Sequence, residues 1–349
     1  MDTPKKIKIL YVGNDEYSMY VKAFYNASFN IPGLIPELIS WNQFLEKNKI
    51  NLCRKFENKM SFGIYVHKFN QYIVDKCKDQ KYDIIFLYSC RMIYNSSIRE
   101  MKKTGSYIAC YNNDNPFSRY YPSYFWRWYR RNIKECNTVY SYRHSNIEEC
   151  EKWGGKNNKL LRSYYIKEKN FYIPEEKLNL KNIPDVVFMG HFENDDRMKY
   201  IRALLEADIK LGVPEVAWKK YEEEYPNLVM LKDTHRQYNE IINKSKIAIN
   251  FLSSINCDTY TRRCFEIPAT KTLMLSVYTE DIASMLAEDK EVVFFRTPQE
   301  LVDKIKFYLS NDSERKRIAD NGYLRILKDG HEATDRVKQL INDFLIYKN

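Results

Sequence analysis

The densest grouping of chemically capable side chains is Asp258-Thr259-Tyr260-Thr261-Arg262-Arg263-Cys264-Phe265-Glu266-Ile267-Pro268-Ala269. It follows the apolar run Ile247 to Leu252, which reads as a strand, and Thr261 is placed to cap a helix opening there. A strand end, a polar loop and a helix N-terminus with two arginines suit a phosphate. Backbone N–H groups and the helix dipole attract the anion, and guanidinium adds bidentate donors. Glu266, one turn into the helix, can accept two hydrogen bonds from vicinal hydroxyls. The same spacing is also that of a plain Arg262–Glu266 surface pair worth a few tenths of a kcal/mol.

The elements that must position these residues form an alternating pattern. Strands are expected at 7–12, 37–41, 82–88, 106–111 and 137–142, with helices between them, such as 61–78, where Phe62, Val66, Phe69, Ile73 and Cys77 recur at helical spacing. The pattern restarts after Pro184 with Asp185 to Gly190, helix 195–211, strands at 228–231, 247–251, 272–277 and 291–295, and helices at 298–309, 313–328 and 332–346. Apolar strands alternating with helices mean parallel sheets covered on both faces. A length of 349 residues fits two such domains, and residues 165–184, polar with two prolines, read as the linker. Ligands bind at the carboxyl ends of such strands, which in a tandem arrangement face a cleft.

Composition excludes several classes. The chain has only 10 Gly, and neither G-x-G-x-x-G nor G-x-x-x-x-G-K-[ST] can be drawn through them, so the dinucleotide fingerprint and the P-loop are absent. The eight Cys show no C-x-x-C and no His at finger spacing, and read as small buried hydrophobes in a reducing cytosol. Met1 to Lys6 lead directly into a short strand, too short for a signal segment, and no apolar run reaches the ~18 residues of a membrane span. The expectation is a cytoplasmic protein. Net charge is +10, but residues 1–180 carry 30 Lys/Arg against 18 Asp/Glu, while residues 181–349 carry 26 against 28. The first half should therefore meet something anionic.

From Lys246 to the C-terminus the chain resembles the spore-maturation CgeB-like glycosyltransferases of the GT-B class. The resemblance rests on R-x-F-E-x-x-A (Arg263 to Ala269), the run Glu291 to Thr297, E-L-x-x-K-I-x-[FY]-Y-L (Glu300 to Leu309), E-R-x-x-I-A-x-N-G (Glu314 to Gly322) and H-x-x-x-x-R (His331, Arg336). Phe188 to Phe192 is similar to the family's F-x-G-x-[YF], and Asn113-Asp114-Asn115-Pro116 to its D-D-P. Asp258-x7-Glu266 looks like an E-x7-E motif with Asp in place of the first Glu, and Pro268 to Thr272 departs from the family's small residues and Gly.

The resemblance implies an α/β fold of GT-B type. Two Rossmann-like domains with parallel sheets would face an interdomain cleft: an acceptor domain over 1–168, a donor domain over 184–330, and a helix over 331–349 packing back toward the first. It implies a metal-independent transferase that moves a sugar from a UDP-, dTDP- or GDP-sugar to a hydroxyl of a glycan, lipid-linked glycan or protein, with no cofactor beyond the sugar nucleotide. The donor would be bound by Gly190, His191, Asp258, Tyr260, Thr261, Arg262, Arg263, Glu266 and Lys271. Glu266 holds the ribose and Arg263 neutralises the diphosphate. An inverting transfer needs a base for the acceptor hydroxyl; Asp114, then Asp15, then His144 are the candidates. Asp114 could instead make an Asx turn capping a helix near 119.

Tyr124 to Arg131 has two readings. On a helix, Phe125, Trp128, Tyr129 and Ile133 form an apolar stripe, and Arg127, Arg130 and Arg131 a basic face. That face is either solvated or meets acceptor phosphate or the headgroups of the inner membrane surface. The competing functions are a sugar-nucleotide epimerase of the same architecture, a nucleic-acid-binding protein and an inactive assembly protein. No RNP-type or helix-turn-helix cue supports nucleic acid.

Overall fold

A computed structural model describes residues 6–47, 51–226 and 228–349; Met1 to Lys5 and the Cys53 side chain lie outside the described residues. The chain divides into two compact units, Met1–Ser163 with Ala333–Asn349, and Tyr164–Glu332.

Unit 1 holds a six-stranded parallel sheet. Its strands are β1 (Ile7–Gly13), β2 (Leu34–Ser40), β3 (Ile84–Tyr88), β4 (Tyr107–Asn112), β5 (Thr138–Ser141) and β6 (Asn158–Leu160), in the order β2-β1-β3-β4-β5-β6. β3 and β4 are buried throughout because helices cover both faces. Leu10, Val12, Ile85, Leu87, Ile108 and Val139 fill one side. Tyr11, Phe86, Tyr111 and Tyr140 turn to the other, with Phe24 against Phe86 at 4.9 Å between ring centroids. β2 starts earlier than its apolar pattern suggests. It is an edge strand and tolerates Pro36, which a central strand would not. β6, with the sequence Asn-Lys-Leu, is an edge strand without an apolar signature.

The expected helix 61–78 is instead Ile64–Gln80, so Phe62 leaves the apolar stripe and is exposed. Val66, Phe69, Ile73 and Cys77 are buried as expected. The C-terminal helix Ala333–Lys348 belongs to unit 1. Its Asp343 accepts from Tyr140 Oη at 2.6 Å and pairs with Lys159 Nζ at 2.6 Å.

Unit 2 repeats the design with β7 (Val186–Val187), β8 (Leu211–Pro214), β9 (Leu228–Leu231), β10 (Ile247–Asn250), β11 (Leu273–Val277) and β12 (Val293–Phe295), in the order β12-β11-β10-β7-β8-β9. The expected helix 195–211 is shorter, Arg197–Glu206, because Asp208 adopts a positive φ of 58° and the chain re-enters the sheet as β8. Gly212 is required in β8, where a Cβ would press on the Leu231 side chain. Thr297 Oγ1 accepts the Glu300 N–H at 3.1 Å and caps the helix Pro298–Ser310. Residues 165–184 are tied to this unit: Phe171 N–H donates to Asn239 Oδ1 at 3.1 Å, and Ile173 N–H to Asn243 Oδ1 at 2.7 Å. Cys77, Cys90, Cys110, Cys136, Cys150 and Cys264 are buried free thiols, while Cys257 is exposed.

Candidate functional site

In unit 2, strand order reverses between β10 and β7, the position where open parallel sheets bind ligands. Asn250, the last residue of β10, is buried and fully engaged. Its Nδ2 donates to Ser276 Oγ at 3.0 Å, and its Oδ1 accepts from Thr261 Oγ1 at 2.7 Å and Arg263 Nε at 3.2 Å. Arg263 opens the helix Arg263–Ala269 and lies across the two strand ends. Its Nη2 donates to Phe251 O at 2.9 Å, its Nη1 to Met189 O at 3.5 Å, and its guanidinium stands 5.5 Å from the Phe188 ring centroid. These partners are neutral. Among the described residues, no carboxylate pairs with Arg263.

Phe188 also carries a second guanidinium, that of Arg197, at 5.9 Å. Arg197 is buried and saturated. Nε and Nη2 donate to the two Asp195 oxygens at 2.8 and 3.0 Å, Nη1 to His191 O at 2.9 Å, and Nη2 to Leu252 O at 2.7 Å, with Glu193 at 3.1 Å. Glu193 Oε2 in turn accepts the N–H and hydroxyl of Ser254, each at 3.1 Å. The loop after β7 is thereby fastened to the loop after β10. Gly190 sits in it because a Cβ would collide with the Phe188 ring, and its carbonyl accepts Trp218 Nε1 at 2.8 Å. The glycine is thus explained by packing. His191 is exposed over much of its surface. Partial burial of its ring, and then the Arg263 charge, hold its pKa below the usual imidazole value.

Glu266 is drawn in rather than left on the surface. Its Oε2 accepts from Tyr238 Oη at 2.9 Å, and Arg262 Nε lies 3.9 Å from Oε1, with both side chains of the ion pair largely buried. Burial, and then the Glu266 charge, hold the Tyr238 hydroxyl well above its usual pKa. The Arg262 guanidinium stands 5.3 Å from the Tyr164 ring. Asp258 N–H donates to Ser253 O at 3.0 Å and closes the loop after β10.

Three expected donor contacts are corrected. Tyr260 is fully buried and packs edge-on against Phe265, as a core residue. The Thr261 hydroxyl donates to Asn250, and the helix starts one residue later than expected, with Arg262 in the N-cap position and no side-chain cap. Lys271 lies at the far end of the helix, next to the start of β11, so it stands at the amino edge of the sheet, 3.2 Å from Asp320 and beside the Tyr172 and Tyr323 rings.

In unit 1, the three candidate bases all stand after strand carboxyl ends, Asp15 and Asp114 in loops and His144 at the start of a helix. Asp15, after β1, accepts from Ser40 Oγ at 2.6 Å and from Gln43 Nε2. Asp114 follows β4, with its N–H donating to Asn112 Oδ1 at 3.2 Å and its charge acting on Arg91. Asn115, not Asp114, makes the Asx turn, accepting Phe117 N–H at 3.1 Å. No helix begins near 119. His144 opens the helix His144–Lys152, 3.4 Å from Arg162 Nη2.

The basic run also differs from expectation. Its helix begins only at Arg127, which turns Trp126 into the core in place of Trp128. Arg130 donates to Pro116 O at 3.0 Å and to Ser123 O, and Arg127 to Met60 O at 2.6 Å, so the three arginines do not form one free face.

Sequence reasoning missed Arg197, Glu193, Asp195, Tyr238 and Trp218. Only Glu-Asn-Asp-Asp-Arg at 193–197, a charged cluster directly after a strand, offered a signal.

Residues 197–342 match the glycosyl transferase-like family model. No curated protein matches. Among solved structures, the chain is similar to Anabaena HepE in complex with UDP and glucose (10% identity, TM-score 0.68, covering 97% of this chain and 99% of that one). It is also similar to sucrose-phosphate synthase of Thermosynechococcus elongatus (11%, 0.69, 99% and 100%). A third is the UDP-GlcNAc 2-epimerase of Neisseria meningitidis bound to UDP-GlcNAc (10%, 0.60, 98% and 100%). The fold is that of GT-B proteins: two Rossmann-like α/β units in one chain.

Proposed function

We propose that this protein transfers a sugar from a nucleoside-diphosphate sugar to a hydroxyl of a glycan, lipid-linked glycan or protein. The observation that carries the reading is Arg263: a half-buried guanidinium at the strand switch point, held by neutral acceptors and lacking a carboxylate partner among the described residues. A half-buried cation so placed is completed by an anion, and a diphosphate fits the forked donors. Glu266, oriented by Tyr238 and Arg262, receives the ribose hydroxyls. The glycosyl transferase-like match over 197–342 and the UDP-bound neighbour support the same donor class.

The diphosphate charge that develops as the anomeric bond breaks is met by Arg263 and neighbouring N–H groups, without a divalent metal. Asp114 is the first candidate to take the acceptor proton, then Asp15 and His144.

The epimerase of similar fold defines the competing outcome. UDP-, GDP- and dTDP-sugars are supplied to the full chain with and without a glycan acceptor, in the presence of EDTA. Acceptor-dependent release of the nucleoside diphosphate is expected. Conversion of the sugar with no acceptor present identifies an epimerase, and a strict manganese or magnesium requirement contradicts the metal-free reading.

A further inference from the structure

Three apolar side chains of unit 1 stand in water around a single turn. Phe56 projects from the helix Asn51–Met60, Phe62 from the turn after it, and Ile64 from the start of the next helix; they are 62%, 57% and 69% exposed. The turn is held rigidly. Glu57, itself buried, accepts the N–H groups of Tyr65 and Val66 at 2.9 and 3.1 Å. Gly63 adopts φ 145°, where a Cβ would collide with the Glu57 carboxyl. The cap starts the helix at 64 and turns Phe62 outward. Such a fixed display differs from the scattered single apolar residues that any surface carries.

Cations frame this display. Trp128 Nε1 donates to Ser61 O at 2.7 Å and Arg127 Nη2 to Met60 O at 2.6 Å, which clamps the turn to the helix Arg127–Asn132. The Arg127 guanidinium stands 5.9 Å from the Phe62 ring, and that of Arg131 5.4 Å from Trp128. Lys59 follows Phe56 by three residues and Lys68 follows Ile64 by four, so each shares its helical face. Residues 51–68 hold four Lys/Arg against Glu57 alone, and residues 119–134 hold five against no carboxylate.

We propose that this surface docks the protein on an anionic lipid bilayer. Phe56, Phe62 and Ile64 enter the boundary between headgroups and acyl chains, and Arg127, Arg131, Lys59 and Lys68 meet the lipid phosphates with their stems along the apolar side chains. A second copy of the chain fits poorly, since a two-fold contact would set this cationic rim against itself. The inference does not rest on the glycosyl-transfer reading.

The test is flotation of the full chain with vesicles of phosphatidylcholine alone and of phosphatidylcholine mixed with phosphatidylglycerol. Binding to the mixed vesicles is expected, with little to the neutral ones and a loss at high salt. Phe62→Ser with Ile64→Ser should weaken binding at least ~10-fold, and Lys59→Gln with Lys68→Gln about fivefold per residue. Thermal midpoint and nucleoside-diphosphate binding should be unchanged in both variants. The lysine pair alters only exposed side chains, so it serves if the apolar pair fails to fold. Absence of wild-type binding to the mixed vesicles, or binding unmoved by a folded variant pair, overturns the proposal. So does a concentration-dependent dimer that the apolar variant abolishes, which would assign the surface to a second copy.

Discussion

The carboxyl edges of the two sheets are built on different plans. In unit 2, side chains from separate elements converge: Arg263, Arg197, Asn250 and Phe188 are linked within one network across β7 and β10. In unit 1, Asp15, Asp114 and His144 stand at three strand ends, each engaged within its own surroundings. A ligand with fixed charge requires donors set before it arrives, and in unit 2 the Arg263 guanidinium is held in this way at the strand ends. The same network contains a second contrast. Two guanidiniums face one ring, yet Arg197 is compensated by Asp195 and Glu193, while Arg263 meets only neutral oxygens among the described residues.

The largest expected effect lies on the dispersed side. If Asp114 is the base, Asp114→Asn lowers transfer by about 100- to 10,000-fold with donor affinity intact. A smaller loss than that from Asp15→Asn would move the role to Asp15. Arg197→Met comes next, because it leaves the half-buried Asp195 and Glu193 carboxylates uncompensated. Unfolding in urea should show a loss of about 3–5 kcal/mol, and a change below ~1 kcal/mol would mean that the loop after β7 is held by other contacts.

Glu266→Ala removes a charged acceptor of hydroxyls and should weaken donor binding by roughly 10- to 100-fold, at about 1.5–3 kcal/mol per hydrogen bond. Unchanged affinity in the folded variant removes Glu266 from the site. The smallest effect is on pH. His191 has a lower pKa folded than unfolded, so protonation favours the unfolded chain, and its stabilising neutrality is lost as pH falls through ~6.5. The acid-side decline in urea midpoint should be shallower in His191→Gln. Equal slopes would show that the ring is not perturbed.

Much of this was legible in the sequence where local pattern and burial agree. Ile247 to Asn250 is a continuous apolar run ending in Asn, and Arg263 and Glu266 follow at helical spacing, so strand, helix and candidate residues could all be named from it. Leu211–Pro214 could not, because Gly and Pro hide a strand whose place depends on Val187 and Leu231 beside it. Phe62 misled because its spacing fits the stripe, while Glu57 and Gly63 start the helix after it. Arg197 showed only as part of the charged run 193–197, because its tie to Leu252 O, and that of Glu193 to Ser254, join residues distant in sequence. Lys271 was expected at the donor site, but one short helix carries it to the amino edge of the sheet.

The most direct test of the central claim is calorimetric titration of the full chain with UDP, GDP and dTDP, repeated for Arg263→Lys. A lysine keeps the charge but loses the fork. Saturable one-to-one binding of at least one of these nucleotides is expected, weakened at least ~10-fold by the substitution, with the thermal midpoint preserved. Wild-type affinity in Arg263→Lys, or no binding of any nucleoside diphosphate, would contradict it.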